Sequence, residues 1–166
     1  MTTGKACQFR TKLSRKHILD YTVITFLVMR PPSITKFLEM MSLLHHPNII
    51  HLMGASASPT FIVTEICQNS NLMEYLRKRV DRPPLSWKDR VSIALDEAKA
   101  LAFMHSYDPP ILHRDLKSLN LLLDMHLTLK VCDFGLCRKM ARRGEKMTRA
   151  VGTLQWMVRL SLFFFV

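Results

Sequence analysis

The chain has 166 residues, 48% of them hydrophobic and only 5 of them glycine, enough for one packed domain and unlike a disordered or fibrous chain. Its formal charge of +11, from 24 Lys and Arg against 13 Asp and Glu, would attract nucleic acid, anionic membrane surfaces or phosphorylated ligands, and fits a plain solvated surface equally well. The 4 cysteines, Cys7, Cys67, Cys132 and Cys137, form no CxxC pair, no apolar run nears the ~18 residues of a bilayer span, and no cleavable signal follows the basic start. A soluble chain of a reduced, cytoplasmic compartment is expected.

Residues 1–20 are basic and aperiodic and read as a leader. Tyr21 to Met29, "YTVITFLVM", is rich in β-branched and aromatic residues and predicts a strand closed by Pro31 and Pro32. Ser33 is placed to cap a helix whose Ile34, Phe37, Leu38, Met41 and Leu44 recur at helical spacing before Pro47. "NIIHLMG" (Asn48 to Gly54) and "TFIVTEI" (Thr60 to Ile66) predict two short strands joined by a Ser/Ala/Pro turn. Asn71 with Glu74 is a capping box for a short helix ending in Arg77, Lys78 and Arg79, and Pro83 and Pro84 mark a boundary. Ser86 and Asp89 are a second capping box, after which Trp87, Val91, Ala94, Leu95, Ala98, Leu101, Ala102 and His105 follow at i, i+3, i+4 intervals as the apolar stripe of a long helix. Beyond "DPP" (Asp108 to Pro110) the pattern predicts a strand at Leu121 to Leu123, a turn at Asp124 to His126, and an alternating strand through Leu127, Leu129 and Val131. There is no internal repeat.

Between these elements lie "HRDLKSLN" (His113 to Asn120), "DFG" (Asp133 to Gly135) and "GTLQWM" (Gly152 to Met157). In order and spacing they resemble the catalytic loop, metal-binding motif and activation segment of eukaryotic protein kinases. Seven fixed positions (His113, Arg114, Asp115, Asn120, Asp133, Phe134, Gly135) agree by chance in about one sequence in a billion. Phosphoryl transfer needs positioning and charge neutralisation. The resemblance therefore implies catalytic roles for Asp115 (orienting base), Lys117 (charge beside the phosphoryl group) and Asn120, with Asn120 and Asp133 holding Mg2+ and ATP as the phosphoryl donor. Lys117 and "GTLQWM" are similar to the tyrosine-kinase-like group, which is mainly Ser/Thr-specific. "FIVTEIC" resembles the strand that leads into the adenine hinge. It implies Thr64 as gatekeeper, the backbone of Glu65 and Cys67 against the base, and Leu122 beneath the ring, although without the downstream loop the stretch reads sooner as an ordinary buried strand. Met41, Leu52, His113 and Phe134 fall where the family stacks side chains between its lobes. Arg114 implies control by phosphorylation of the activation segment. Thr148 is then the acceptor, or simply a surface threonine, while Thr153 is expected to contact the catalytic loop.

The resemblance implies an α+β, bilobal kinase-like fold that is incomplete. Its parts are residues 1–30 as leader and possible small-lobe strand, and 31–157 as a partial kinase domain (small lobe 31–66, hinge 65–71, large lobe 71–157), followed by an atypical apolar tail at 158–166. No GxGxxG precedes the helix, and "YTVITFLVM" lacks the lysine that reaches the phosphates, since Lys16 and Arg30 sit at other intervals. The family's helix glutamate is replaced by Phe37, and Glu39, two residues on, points nearly opposite at about 100° per residue. Two readings follow: a Ser/Thr protein kinase acting on a protein substrate, or an inactive, pseudokinase-like fragment or scaffold. On either, both ends look truncated, and a partner protein is expected on the uncovered apolar surface of the large lobe. A third reading, a basic nucleic-acid binder, has no supporting motif, so no specific nucleic-acid partner is expected.

Overall fold

A computed structural model describes residues 21–25, 31–57, 60–77, 83–140, 152–153 and 156. The expected leader, Thr148 and the 158–166 tail lie outside them. Strand β1 (Tyr21–Thr25), helix α1 (Pro31–Leu43), β2 (Leu52–Ala57) and β3 (Thr60–Glu65) form the first part, with the strands in one antiparallel sheet of order β1-β3-β2. Tyr21 pairs with Glu65 and Thr25 with Phe61; Leu52 pairs with Thr64, and a bulge separates Leu52 from Gly54. Helix α2 (Leu72–Arg77), helix α3 (Trp87–His105), β4 (Ile111–Leu112), β5 (Leu121–Leu123), β6 (Leu129–Val131) and β7 (Arg138–Lys139) follow, with β5 paired to β6 and β4 to β7. Among the described residues no helix is long and apolar enough to cross a membrane.

The first predicted helix exists, but Pro31 and Pro32 stand inside it rather than before it. Proline lacks an N–H that the first turn would leave unused, and its φ suits a helix, so the pair begins α1 and Ser33 is not its cap. On α1, Phe37, Met40 and Met41 are buried and Glu39 is exposed, as the 3.6-residue period requires.

The predicted strand at Asn48 to Gly54 is corrected in its first half. Residues 48–50 leave the small sheet and pair instead with β6: Ile50 N donates to Val131 O at 3.0 Å, and Val131 N donates to Asn48 O at 2.9 Å. The buried Asn48 side chain adds a bond from Nδ2 to Leu129 O at 3.0 Å. Buried peptide groups must find partners, and here they find them across the molecule, which ties the small sheet to the β5–β6 hairpin.

Around α2, Asn71 Oδ1 accepts from Glu74 N at 2.9 Å, as its capping box predicted, and Ser70 Oγ donates to the Glu74 carboxylate at 2.6 Å. Helix α3 starts at the predicted box, with Ser86 Oγ accepting from Asp89 N at 3.1 Å and Ser86 N donating to the Asp89 carboxylate at 3.0 Å. The stripe read from the sequence is not the packed one. Trp87 is 79% exposed, Val91 and Leu95 are each 52% exposed, and the buried face is Ile93, Asp96, Ala100 and Met104. Asp96 gains its place there because Oδ2 accepts from Leu129 N at 3.2 Å, so a buried carboxylate secures the start of β6. The strands β4 and β7, two residues each, had no period to announce them.

Truncations on α3 test this face assignment. Ile93→Ala should cost about 2–5 kcal/mol of unfolding free energy, whereas Val91→Ala should stay within about 0.5 kcal/mol, as read by denaturant titration. Equal losses would mean that both faces of α3 are packed.

Candidate active site

His113 follows β4 and is buried at 2% exposure. Its Nε2 lies 2.9 Å from Cys132 O, and its Nδ1 accepts from Asp115 N at 3.3 Å, so the ring is the neutral tautomer with the proton on Nε2. The ring meets Phe134 edge-on, with centroids 5.3 Å apart. Burial above all holds the His113 pKa below the ordinary histidine value.

Arg114 occupies a left-handed conformation (φ 67°) that turns the chain and delivers the next residue inward. Its Nε donates to Leu136 O at 2.6 Å. The Asp115 carboxylate is the hub of the loop. Oδ1 accepts from Thr153 Oγ1 at 2.7 Å and Thr153 N at 3.0 Å, while Oδ2 is ion-paired with Lys117 and accepts from Asn120 Nδ2 at 3.3 Å. Lys117 Nζ also donates to Thr153 Oγ1 at 3.1 Å. Burial pushes the Asp115 carboxyl up, but the bonds from Lys117 and Thr153 and the Lys117 charge outweigh it and hold the group below the ordinary carboxylate range. It is an ionised, oriented carboxylate.

Asn120 ends the 3-10 turn Ser118–Asn120; its Nδ2 donates to Asp115 O at 2.8 Å, and its backbone carbonyl accepts from Cys132 N at 2.9 Å. That last bond brings the catalytic-loop motif beside the end of β6, where Asp133 stands. Asp133 is left-handed (φ 63°) and accepts from Gly135 N at 3.3 Å; a Cβ on Gly135 would come to 3.2 Å from Asp133 Oδ1, which explains the small residue there. Among the described residues no three His, Cys, Asp or Glu side chains gather as a metal cluster. One carboxylate and one amide oxygen, Asp133 and Asn120, suit magnesium, which binds few protein oxygens and completes its shell with water and phosphate.

Thr64 is buried, and its Oγ1 donates to Glu65 O at 3.1 Å. The segment after β3 lies along β5: Asn69 N donates to Leu123 O at 3.0 Å, and Asn71 bridges to Leu122. Cys67 and Leu122 are half-buried there, and burial, with the Glu65 charge, pushes the Cys67 thiol up to about 12. Thus Asp115, Lys117, Asn120 and Thr153 meet in one cluster, Asp133 adjoins it through β6, and Leu122 sits against the segment that carries Cys67. Arg114 is turned to Leu136.

Sequence reasoning missed Lys130. It pairs with the Glu65 carboxylate at 2.9 Å and donates to Pro47 O at 3.0 Å, while Glu65 Oε1 accepts from His51 N at 2.8 Å. The available signal was the alternation of β6, which turns Lys130 away from the buried Leu129 and Val131.

The family description "Protein tyrosine and serine/threonine kinase" matches residues 30–162. The chain is 45% identical over 120 residues to "Serine/threonine-protein kinase CTR1" of Arabidopsis thaliana, covering 71% of the chain and 15% of that protein. It is 42% identical over 124 residues to "Chitin elicitor receptor kinase 1" of Physcomitrium patens (72% of the chain, 19% of the relative), and 41% identical over 123 residues to "Probable serine/threonine-protein kinase kinX" of Dictyostelium discoideum (72% and 11%). The chain thus spans less than a fifth of the length of each of these relatives.

Because His113 is neutral when folded and titrates near pH 6.5 when unfolded, the unfolded chain binds more protons as pH falls. Stability should therefore be full above about pH 6.5 and decline on acidification, and His113→Leu should flatten this slope between pH 7 and 5. Equal slopes for the two proteins, by chemical denaturation at each pH, would mean that His113 is solvated.

Proposed function

The chain belongs to the protein tyrosine and serine/threonine kinase family, and on that premise we propose that it transfers the γ-phosphoryl group of ATP to a serine or threonine hydroxyl of a protein substrate. The fold is the α+β fold of that family, present in part, and the named relatives include Ser/Thr kinases, as expected of the tyrosine-kinase-like group. Proteins of the family use ATP and magnesium. The observation that carries the reading for this chain is the Asp115 cluster, in which an ionised carboxylate is fixed by Thr153, Lys117 and Asn120.

In the proposed mechanism Asp115 accepts a hydrogen bond from the substrate hydroxyl and aims its oxygen for in-line attack. Lys117, already 3.1 Å from Thr153 Oγ1, holds a positive charge beside the reacting centre and fixes the carboxylate geometry. Asn120 and Asp133 are the residues that would hold Mg2+, which when bound neutralises developing phosphate charge. Thr64, the backbone of Glu65 and Cys67, and Leu122 form the proposed adenine site, with 31–66, 65–71 and 71–157 as small lobe, hinge and large lobe. The Arg114 guanidinium pairs with phosphate on Thr148 in the proposed regulation, and a cytoplasmic location belongs to the same reading.

One observation favours the second reading, a chain that keeps these motifs without phosphotransfer. On α1, Phe37 is buried where the family has its ion-pairing glutamate, and Glu39 is exposed with no ion pair among the described residues.

Thermal unfolding with and without MgATP separates the two. Nucleotide at about 100 times its Kd adds about 2.7 kcal/mol to the folded state, a rise of several degrees. Asp133→Ala should abolish that rise, and Asp115→Ala should keep it while lowering phosphate incorporation about 10²- to 10⁴-fold. No rise and no incorporation by the unaltered chain would leave the second reading standing.

A further inference from the structure

Among the described residues α1 makes no ion pair, yet it packs against the turn Phe134–Leu136 that follows Asp133. Something else must hold its far end. The last residue of α1, Leu43, leaves a carbonyl without an intrahelical partner, as every helix C-terminus does. Tyr107, two residues beyond the end of α3, donates its hydroxyl to that carbonyl at 2.6 Å. The tyrosine ring is itself set edge-on against Phe103 of α3, with centroids 5.5 Å apart and planes at 89°. Phe103 in turn stacks on His46, centroids 5.0 Å apart, and His46 Nδ1 accepts from Asn48 N at 3.1 Å. Three rings thus fasten both the end of α1 and the loop after it to the end of α3.

We propose that Tyr107 is a positioning residue: through the Leu43 carbonyl it holds α1, with its buried Phe37 and Met41, against the Asp133–Leu136 turn. The inference rests on the proposed function only in assigning that turn a role in holding metal. The bond is solvent-exposed and joins Tyr107 to α1 rather than to the Asp115 cluster, so its action runs through the helix. Since α1 meets the turn that carries Phe134, a loosened α1 also loosens the turn. The amides that report it are Gly135 N, bonded to Asp133 Oδ1, and Cys137 N, bonded to Phe134 O at 3.0 Å.

The test is hydrogen–deuterium exchange on the full chain bearing Tyr107→Phe, which keeps the ring contact and removes only the donor. Exchange in α1 and at Gly135 and Cys137 should quicken together, by about fivefold for one net hydrogen bond, with the amides of Ile93 to Met104 unchanged. Quickening confined to the last turn of α1 would be simple fraying and would overturn the proposal. So would no change, an equal change in every element, or failure of the variant to fold. The measurement needs no nucleotide, so a chain that fails to bind MgATP would count against the proposed function while this result stood by itself.

Discussion

The arrangement depends on two backbone bonds at Val131. Its N–H reaches the Asn48 carbonyl and its carbonyl takes the Ile50 N–H, at 2.9 and 3.0 Å, so a three-residue strand is shared by both parts of the molecule. On one side the loop 48–50 leads into β2 and the small sheet. On the other, β6 pairs with β5 and delivers Cys132 and Asp133 to the site. Val131 is fully buried, so neither bond has water as an alternative partner, and breaking either one strands a peptide group in an apolar setting. The buried side chains of Asn48 and Asp96, which bond the carbonyl and the N–H of Leu129, repeat the same logic one turn of the pleat away.

The site is built from polar groups, and its buried carboxylate is met by fixed donors. Asp115 is 8% exposed yet ionised, since the Thr153 hydroxyl and amide and the Lys117 ammonium supply what water would have supplied. Such substitution of solvent by fixed donors is the physical content of preorganisation, as the donors are already aimed before any substrate arrives. His113 takes the opposite course. Its buried ring stays neutral, uses both nitrogens in hydrogen bonds, and serves as a rigid wall against Phe134. Two residues of one motif, separated only by Arg114, thus differ in charge state because one has cationic and hydroxyl partners and the other has backbone ones.

Much of this was legible in the sequence, and the exceptions have physical causes. Both capping boxes, the β5–β6 hairpin and the hub at Asp115 follow from short-range chemistry or from a motif with fixed spacing. The packed face of α3 was misread because Trp87, Val91 and Leu95 are more apolar than Asp96 and Ala100; what buries the second set is a hydrogen bond to Leu129, which no local period records. The first half of the strand expected at 48–54 pairs elsewhere for a related reason, since β-branched residues announce an extended chain but not its partner, and Val131 is far along the chain. Pro31 and Pro32 looked like a stop and proved to be a start, an ambiguity inherent in a residue that ends one element and can open another. Lys130 and Tyr107 carry no motif. Their roles come from where β6 and α3 end in space.

Three cysteines bracket the site: Cys67 on the segment after β3, Cys132 just before Asp133, and Cys137 just after the turn. Burial pushes all three thiols upward, so at neutral pH they are protonated and poor nucleophiles. The folded site is thereby resistant to alkylation and oxidation, and that resistance lasts only as long as each thiol stays covered. Their labelling rates form a built-in gauge with three positions, able to report which edge of the site breathes first without any residue being added to the protein.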